Sequence, residues 1–600
     1  MPGAADAPTS PAARPRRPRR SRRPAAVVLA VLGLLVLAWA VAVAVSGAQA
    51  VRALQRVADA APALERDLRA QRFAQAVPVA EDVAADAAAA ARATGQLPYR
   101  AAGHVPWVGD QLRALGAGAL AAAALTEPLP RALTAAQEVL GDGFLAQDGA
   151  VDVAALQRVS PLVTDYATRV EVARAALERA RGPRVLDALA TRLEPVSRRL
   201  EEVAGPARAA GALAPQLPAM LGSEGARTYL VAFTNPAEIR PVQGLVGAYA
   251  YVSVDAGRVS LVRTGSNDDL QDARSDVTVN GEEFLSLYGR DPDAALVQNL
   301  TVGAQADDAA RLAVSLVADA GLPTPDAVVL VDPVGLGVLL GPDQPPLQLG
   351  PFGEVAAGDL PEVLMHDAYV RYEDDNDARE EFLAAASAAA FEAVLSDGLS
   401  ADALSGGREA VASGHLAVWS SRPEEQEALV AAGLAGVLGD PAATPATAHL
   451  GLTNAAPSKL DYWVRAAVEL SPPCAAGAAQ ATGTVQLTLT NTVPEEIPWY
   501  TRNQRHRSDP VLGRTARDVV SLWVPPQVGL DGATVDGTAV GTAVDSEHGW
   551  RLVRLTVDVP PGEAVVVEWR LRGRADALPV TVTPPSTAST PEVRTIDCSQ

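Results

Sequence analysis

Six hundred residues with a net charge of −21, 48% hydrophobic and 20% charged side chains describe a folded chain too long for a single core. That composition excludes global disorder, and the acidic balance argues against a nucleic-acid binder, which gains affinity through a basic face. Lysine occurs once, at Lys459, so P-loop and Schiff-base chemistry have almost no lysine to draw on.

Residues 1–24 form a basic tail with seven arginines against Asp6, a local charge of +6 that leaves −27 on the remainder. Ala25 to Val45 follows without a charged residue, long enough to cross about 30 Å of hydrocarbon as a transmembrane helix. Arginines before it and an acidic chain after it predict a single-pass cell-membrane protein, N-terminus cytoplasmic and main body extracytoplasmic. A cleaved signal peptide is the rival reading, because Ala48-Gln49-Ala50 has the small-x-small form, but the apolar run exceeds the usual h-region.

The rest reads as multidomain α+β. Residues 46–215 are rich in Ala, Leu, Arg and Glu with apolar residues three and four apart, predicting a helical stalk or bundle broken at Pro78, at Gly95 to Pro106, at Glu127 to Pro130 and at Gly141 to Gly143. Residues 220–450 predict an α/β domain with a central sheet. Its strands fall near Thr228 to Phe233, Ala248 to Val254 and Val259 to Val262, with Asp255 to Arg258 as a hairpin turn, and a buried strand spans Asp326 to Asp332. Its helices are expected over Asp307 to Ala320, Asp377 to Leu395 and Pro423 to Ala435. Residues 455–578 alternate between polar and apolar side chains among Pro/Gly turns, predicting an antiparallel β-sandwich, and residues 579–600 an extended tail.

Cys474 and Cys598 flank that last module, and in an exported chain one even pair is a disulfide candidate; two unrelated buried thiols are the alternative. No zinc-ligand spacing and no nucleophile elbow occur, and no cofactor is evident. Asn235, Glu238 and Arg240, between Pro236 and Pro241, form the densest polar cluster of the α/β region. Either they line a cleft at the end of the first strand, or Glu238 and Arg240 pair across a rigid turn while Gly244 and Gly247 relieve tight packing. Glu373 to Asp377 reads as a solvated acidic loop with Asp377 as helix N-cap.

Arg227 to Gly247, RTYLVAFTNPAEIRPVQGLVG, followed by strand, turn and strand, resembles the hallmark of domain-of-unknown-function family 4012, whose members look like exported, membrane-anchored bacterial proteins. His104 to Gly109, Asp148 to Asp152, Pro325 to Val328 with Val331 to Pro333, Ser458 to Tyr462 and Cys598 agree with that family in order; at Gln243 the family usually has glycine. Through a strand-turn-strand ending in Val262 to Asp268, the Pro325 to Leu340 segment, and Tyr369 to Arg371 followed by Asp377 to Arg379 opening a helix, the middle domain also resembles the LytR-CpsA-Psr ligases, which move glycopolymers from lipid pyrophosphate carriers to the cell wall. That likeness implies a phosphate clamp of Arg240, Arg263, Arg371 and Arg379, with Asp268 as metal ligand or base and Mg²⁺ as cation. This chain departs from those ligases with Gly247-Ala248-Tyr249 at the second strand and with Glu380-Glu381 after Arg379. The expected function is therefore an anchored envelope protein with an interaction or scaffolding role, its partners the membrane and envelope proteins. The alternative is a phosphotransferase or binding protein for lipid-linked glycopolymer.

Overall fold

The computed structural model describes residues 23–69, 72–141, 150–180, 185–342, 344–396, 401–443, 445–473 and 480–596. The chain is mixed α/β, with a long apolar N-terminal helix and several sheets. It divides into two compact units, Met1–Leu133 with Arg169–Val203, and Thr134–Thr168 with Ala204–Gln600.

Helix α1 (Arg23–Arg69) carries the apolar run, and its Val31–Leu68 stretch is long and apolar enough to cross a membrane. It is followed by α2 (Phe73–Gly95), α3 (Leu97–Ala102), α4 (Val108–Thr126), α5 (Leu129–Gly141), α6 (Val153–Ala180) and α7 (Asp187–Leu213). Small side chains allow close packing in the first unit: Ala50 and Ala53 of α1 meet Ala90 and Ala93 of α2 and Ala119 of α4. Pro78 does not break the chain as expected but lies inside α2. The flanking Ala76 and Ala80 bury against Leu64 and Leu133, and that contact offsets the hydrogen bond a proline removes.

In the second unit a five-stranded sheet comprises β1 (Arg227–Ile239), β2 (Gly244–Asp255), β3 (Arg258–Ser266), β4 (Ala327–Val331) and β5 (Leu416–Ser420), in the order β3-β2-β1-β4-β5. Only the β1–β4 pair is parallel. Both faces are covered, and successive residues of β1 alternate between two cores as a period of two requires. Leu230 and Ala232 pack beneath helix Ala306–Asp319, whereas Val231 and Phe233 pack against Leu336 and the helix Asn376–Ser396. Arg227 opens β1 with a bidentate pair to Glu425 at 2.8 and 2.9 Å, both side chains buried. The cap of Asn376–Ser396 differs from expectation: Asp375, not Asp377, accepts the Ala378 N–H, because the helix starts one residue earlier.

Beyond Ala446 two further sheets face one another. In one, Ala481–Asn491 lies between Val464–Ser471 and Ala564–Gly573; in the other, Ala516–Val524 lies between Thr447–Asn454 and Trp550–Val559. Leu487 and Val567 from the first and Val520 and Leu522 from the second share one core. Cys474 and Cys598 lie outside the described residues. The tail is held by pairing: Thr581–Thr583 runs parallel to Thr447–Asn454, and Glu592–Thr595 parallel to Val464–Ser471, one edge strand for each sheet.

Candidate functional site

The end of β1 is irregular. Its ladder with β2 shifts register after Phe233 and again between Asn235 and Ile239, where the Asn235 side chain accepts the Ala237 N–H at 2.9 Å and forms an Asx turn around Pro236. The bulge separates the two charged residues beyond it. Glu238 pairs with Lys459, which lies past the strand Thr447–Asn454, while Arg240 turns away and donates to the Ile239 carbonyl at 2.9 Å and to Asn299 at 3.3 Å. The expected Glu238–Arg240 pair is therefore replaced by a longer-range one.

Lys459 is buried between two stacked tyrosines. Tyr369 and Tyr500 lie with ring centroids 6.1 Å apart and planes 18° from parallel. Lys459 Nζ stands 4.8 and 5.6 Å from the two centroids, and the Arg379 guanidinium 5.1 and 3.9 Å, so two cations share one pair of π faces. Burial alone lowers the Lys459 pKa, but Glu238 and the two tyrosines outweigh it, so the amine stays protonated. Burial pushes Tyr369 up to about 12. The Glu380 carboxyl is also raised, first by burial, with Asp268 and Glu238 adding to it against the pull of Lys459 and Arg379.

These groups border a cavity of about 210 Å³. Phe233, Leu245, Leu364 and Leu383 supply its apolar wall, and Asn267, Asp268, Asn376 and Glu380 its polar one. Gln298 Oε1 on the same cavity is buried without a hydrogen-bond partner among the described residues. A larger cavity of about 430 Å³ is lined mainly by small apolar side chains such as Ala304, Ala306 and Ala435, and offers less chemistry.

Of the residues expected to form a site, Asn235, Glu238 and Asp268 line the smaller cavity. Arg379 lies over the same two tyrosine rings, fully buried, donating to Tyr372 O at 3.2 Å and to Asn376. The other three arginines stand apart: Arg240 is held by the Ile239 carbonyl and Asn299, Arg263 is exposed over the Tyr249 ring, and Arg371 is exposed over Phe352. No four-arginine clamp is assembled.

Residues 224–369 match the family described as Protein of unknown function (DUF4012). No curated protein and no solved structure matches the chain. The DUF4012 segment supplies Asn235, Glu238, Asp268, Gln298 and Tyr369 to the cavity, whereas Glu380, Lys459 and Tyr500 come from beyond it. Of these, Glu380 was noted only as a departure from the ligases, and Lys459 and Tyr500 escaped as site residues, although one signal pointed to Lys459: it is the sole lysine among 50 basic residues.

Gln243, where glycine was expected, sits just outside the DUF4012 bulge at φ 64° and fully buried. Its side chain accepts from Thr234 at 2.7 Å and donates to Leu330 O at 3.2 Å, which holds a conformation glycine would adopt freely. Of the two nearby glycines, only Gly244 is a packing requirement, since a Cβ there would stand 2.2 Å from Asn235 O; at Gly247 nothing lies within 4 Å.

Among the described residues, two groups of side chains have metal-ligand composition: Asp308, Glu547 and His548, and Glu362, His366 and Asp367. In the first, protein donors already occupy the carboxylates. Asp308 bonds Arg311 at 2.7 Å and His548 at 2.5 Å, and Glu547 accepts from Ala304, Trp523 and Tyr288 at 2.8–3.1 Å. In the second, His366 is tied to Asp367 at 2.7 Å and stacked on Tyr462.

Proposed function

We propose that the chain is an anchored extracytoplasmic interaction protein, a helical stalk carrying an α/β domain and a β-sandwich, and that the cleft at the junction of the last two binds an uncharged, hydroxyl-rich ligand. The observation that carries this reading is the charge inside the cleft. Glu238, Asp268 and Glu380 supply three carboxyl groups, against Lys459, which Glu238 already pairs, and the buried Arg379, which donates to Tyr372 O and Asn376. A pyrophosphate entering this space meets more acid than free cation. A hydroxyl-rich ligand instead finds acceptors at Glu380 and Gln298, remaining donors on Lys459, and an apolar wall for its ring face. The phosphotransfer alternative draws on Arg240, Arg263, Arg371 and Arg379, and none of these lines the cleft.

The test is calorimetric titration of the full chain in a sugar-free detergent, with glucose and N-acetylglucosamine as probes and with pyrophosphate in the presence and absence of Mg²⁺. Saturable sugar binding that disappears in Gln298→Leu supports the reading. Mg²⁺-dependent pyrophosphate binding overturns it in favour of phosphotransfer. Protease accessibility of the main body in intact cells checks the membrane topology separately.

A further inference from the structure

The largest exposures among bulky apolar side chains in the described residues are not on α1 but at Leu97, 81% exposed, which opens α3, and Trp107, 80% exposed, which immediately precedes α4. Val105 and Val108 beside Trp107 are exposed as well, at 38% and 54%. An exposed apolar cluster of this kind on a soluble surface marks a contact with something else.

Its position says with what. Helix α3 is fastened to the outer end of the apolar run of α1: Trp39 Nε1 donates to Pro98 O at 3.1 Å, Ser46 to Gln96 at 3.1 Å, and a Cβ at Gly47 would stand 3.7 Å from the Tyr99 ring. At 1.5 Å per residue, Trp39 lies about 9 Å inside Val45, where the run ends, so α3 and the following turn are level with the last turns of the span. Tyr99 in turn bonds Leu112 O at 3.2 Å, which ties α3 to α4.

The turn itself is stiff. Gly109 approaches so closely that a Cβ there would be 2.3 Å from Gly103 O, Gly109 N–H bonds Val105 O at 2.7 Å, and Arg113 also donates to Gly103 O. Trp107 holds φ 71°, a left-handed conformation rare for a bulky residue, and the cost is borne with the indole left in the open. Residues 95–109 contain Arg100 and His104 but no acid, although the chain as a whole carries a net charge of −21. Apolar tips, an interfacial tryptophan and local positive charge suit an anionic lipid surface.

We propose that the α3–α4 turn is a second membrane contact, with Leu97, Val105, Trp107 and Val108 inserted into the outer leaflet beside α1. This inference rests on α1 being a retained membrane span. Two anchoring points on one rigid element fix the tilt and rotation of the helices about the membrane normal, which a single helix leaves free.

The test places the full chain in nanodiscs of phosphatidylglycerol and phosphatidylcholine, with a nitroxide on a single introduced cysteine at Trp107→Cys, Val41→Cys or Thr538→Cys and with Cys474 and Cys598 changed to serine. Accessibility to oxygen and to a water-soluble nickel chelate is read at each site. The expected result is lipid-like behaviour at positions 107 and 41, with oxygen favoured several-fold over nickel, and aqueous behaviour at 538. A lipid-like Val41→Cys with an aqueous Trp107→Cys sinks the second contact alone, whereas an aqueous Val41→Cys sinks the span reading as well. A probe at 107 shielded from both reagents indicates a protein contact and also overturns the proposal. An independent check needs no cysteine changes: brominated lipid should quench less of the total fluorescence in Trp107→Phe than in the unaltered chain, and equal quenching counts against insertion.

Discussion

Lys459 and Glu238 are 221 residues apart in sequence and form an ion pair at the centre of the junction cleft, with the ammonium lying over Tyr369 and Tyr500. Both side chains are largely removed from water, so the pair depends on each partner compensating the other. Lys459→Met strands the Glu238 carboxylate and should cost about 3 kcal/mol or more, read from the chemical unfolding midpoint. The double variant with Glu238→Gln should recover much of that loss. If the two losses instead add, the pair is not the reason for the cost.

At Gln243 the left-handed backbone and two side-chain hydrogen bonds act in opposite directions. Gln243→Ala loses both bonds and keeps the strain, whereas Gln243→Gly loses the bonds but relieves the strain. The glycine variant should therefore be the more stable of the two, by about 1 kcal/mol, in parallel thermal melts. Nearby, Gly244→Ala should disrupt the bulge while Gly247→Ala should fold normally.

The contact between His548 and Asp308 makes stability depend on pH. His548 is raised above its ordinary value, first by the hydrogen bond to Asp308, so its contribution is fully present below about pH 6.5 and is lost as pH rises through the folded-state value. His415 is also raised: burial lowers it, but Asp332 at 2.6 Å outweighs that, and the sign is the same. The unfolding midpoint should fall as pH rises through and above 6.5, and His548→Gln should flatten that slope partly, because His415 remains. His449 acts in the opposite sense. Burial pushes it down to about 4, so its share of stability is lost as pH falls below its unfolded value toward 4.

Asp518 is buried with neither carboxylate oxygen partnered among the described residues, next to Asp461, and burial raises both carboxyls. A carboxyl raised in the folded state stabilises below its unfolded value and loses that contribution as pH rises. Asp518→Asn should therefore gain more stability relative to the unaltered chain at pH 8 than at pH 5, measured by urea midpoints at the two values. An equal effect at both pH values would show that packing, not ionisation, sets the cost.

What could be read without coordinates was local. A charge-free stretch from Ala25 to Val45, the strand pattern of β1, the continuous apolar run of β4, and the Asp255 to Arg258 turn each express physics within a few neighbouring residues, and these appear as a helix, strands and a two-residue hairpin. The DUF4012 signature lies in the same short range. The cleft was half legible: Asn235 and Glu238 were visible because polar residues cluster beside prolines in an apolar region, and Asp268 through the ligase resemblance. Which cation Glu238 meets was not, because the β1 bulge redirects its carboxyl toward a residue in the loop after the strand Thr447–Asn454. Likewise four arginines spaced along a chain say nothing of whether their heads converge, since long side chains settle on whatever ring, carbonyl or acid the packed fold brings near. Sequence alone determined the helical and strand periods and the apolar helix, because those depend on neighbours three or four positions away at most. Only tertiary structure decided the site, because its electrostatics come from groups that no sequence spacing relates.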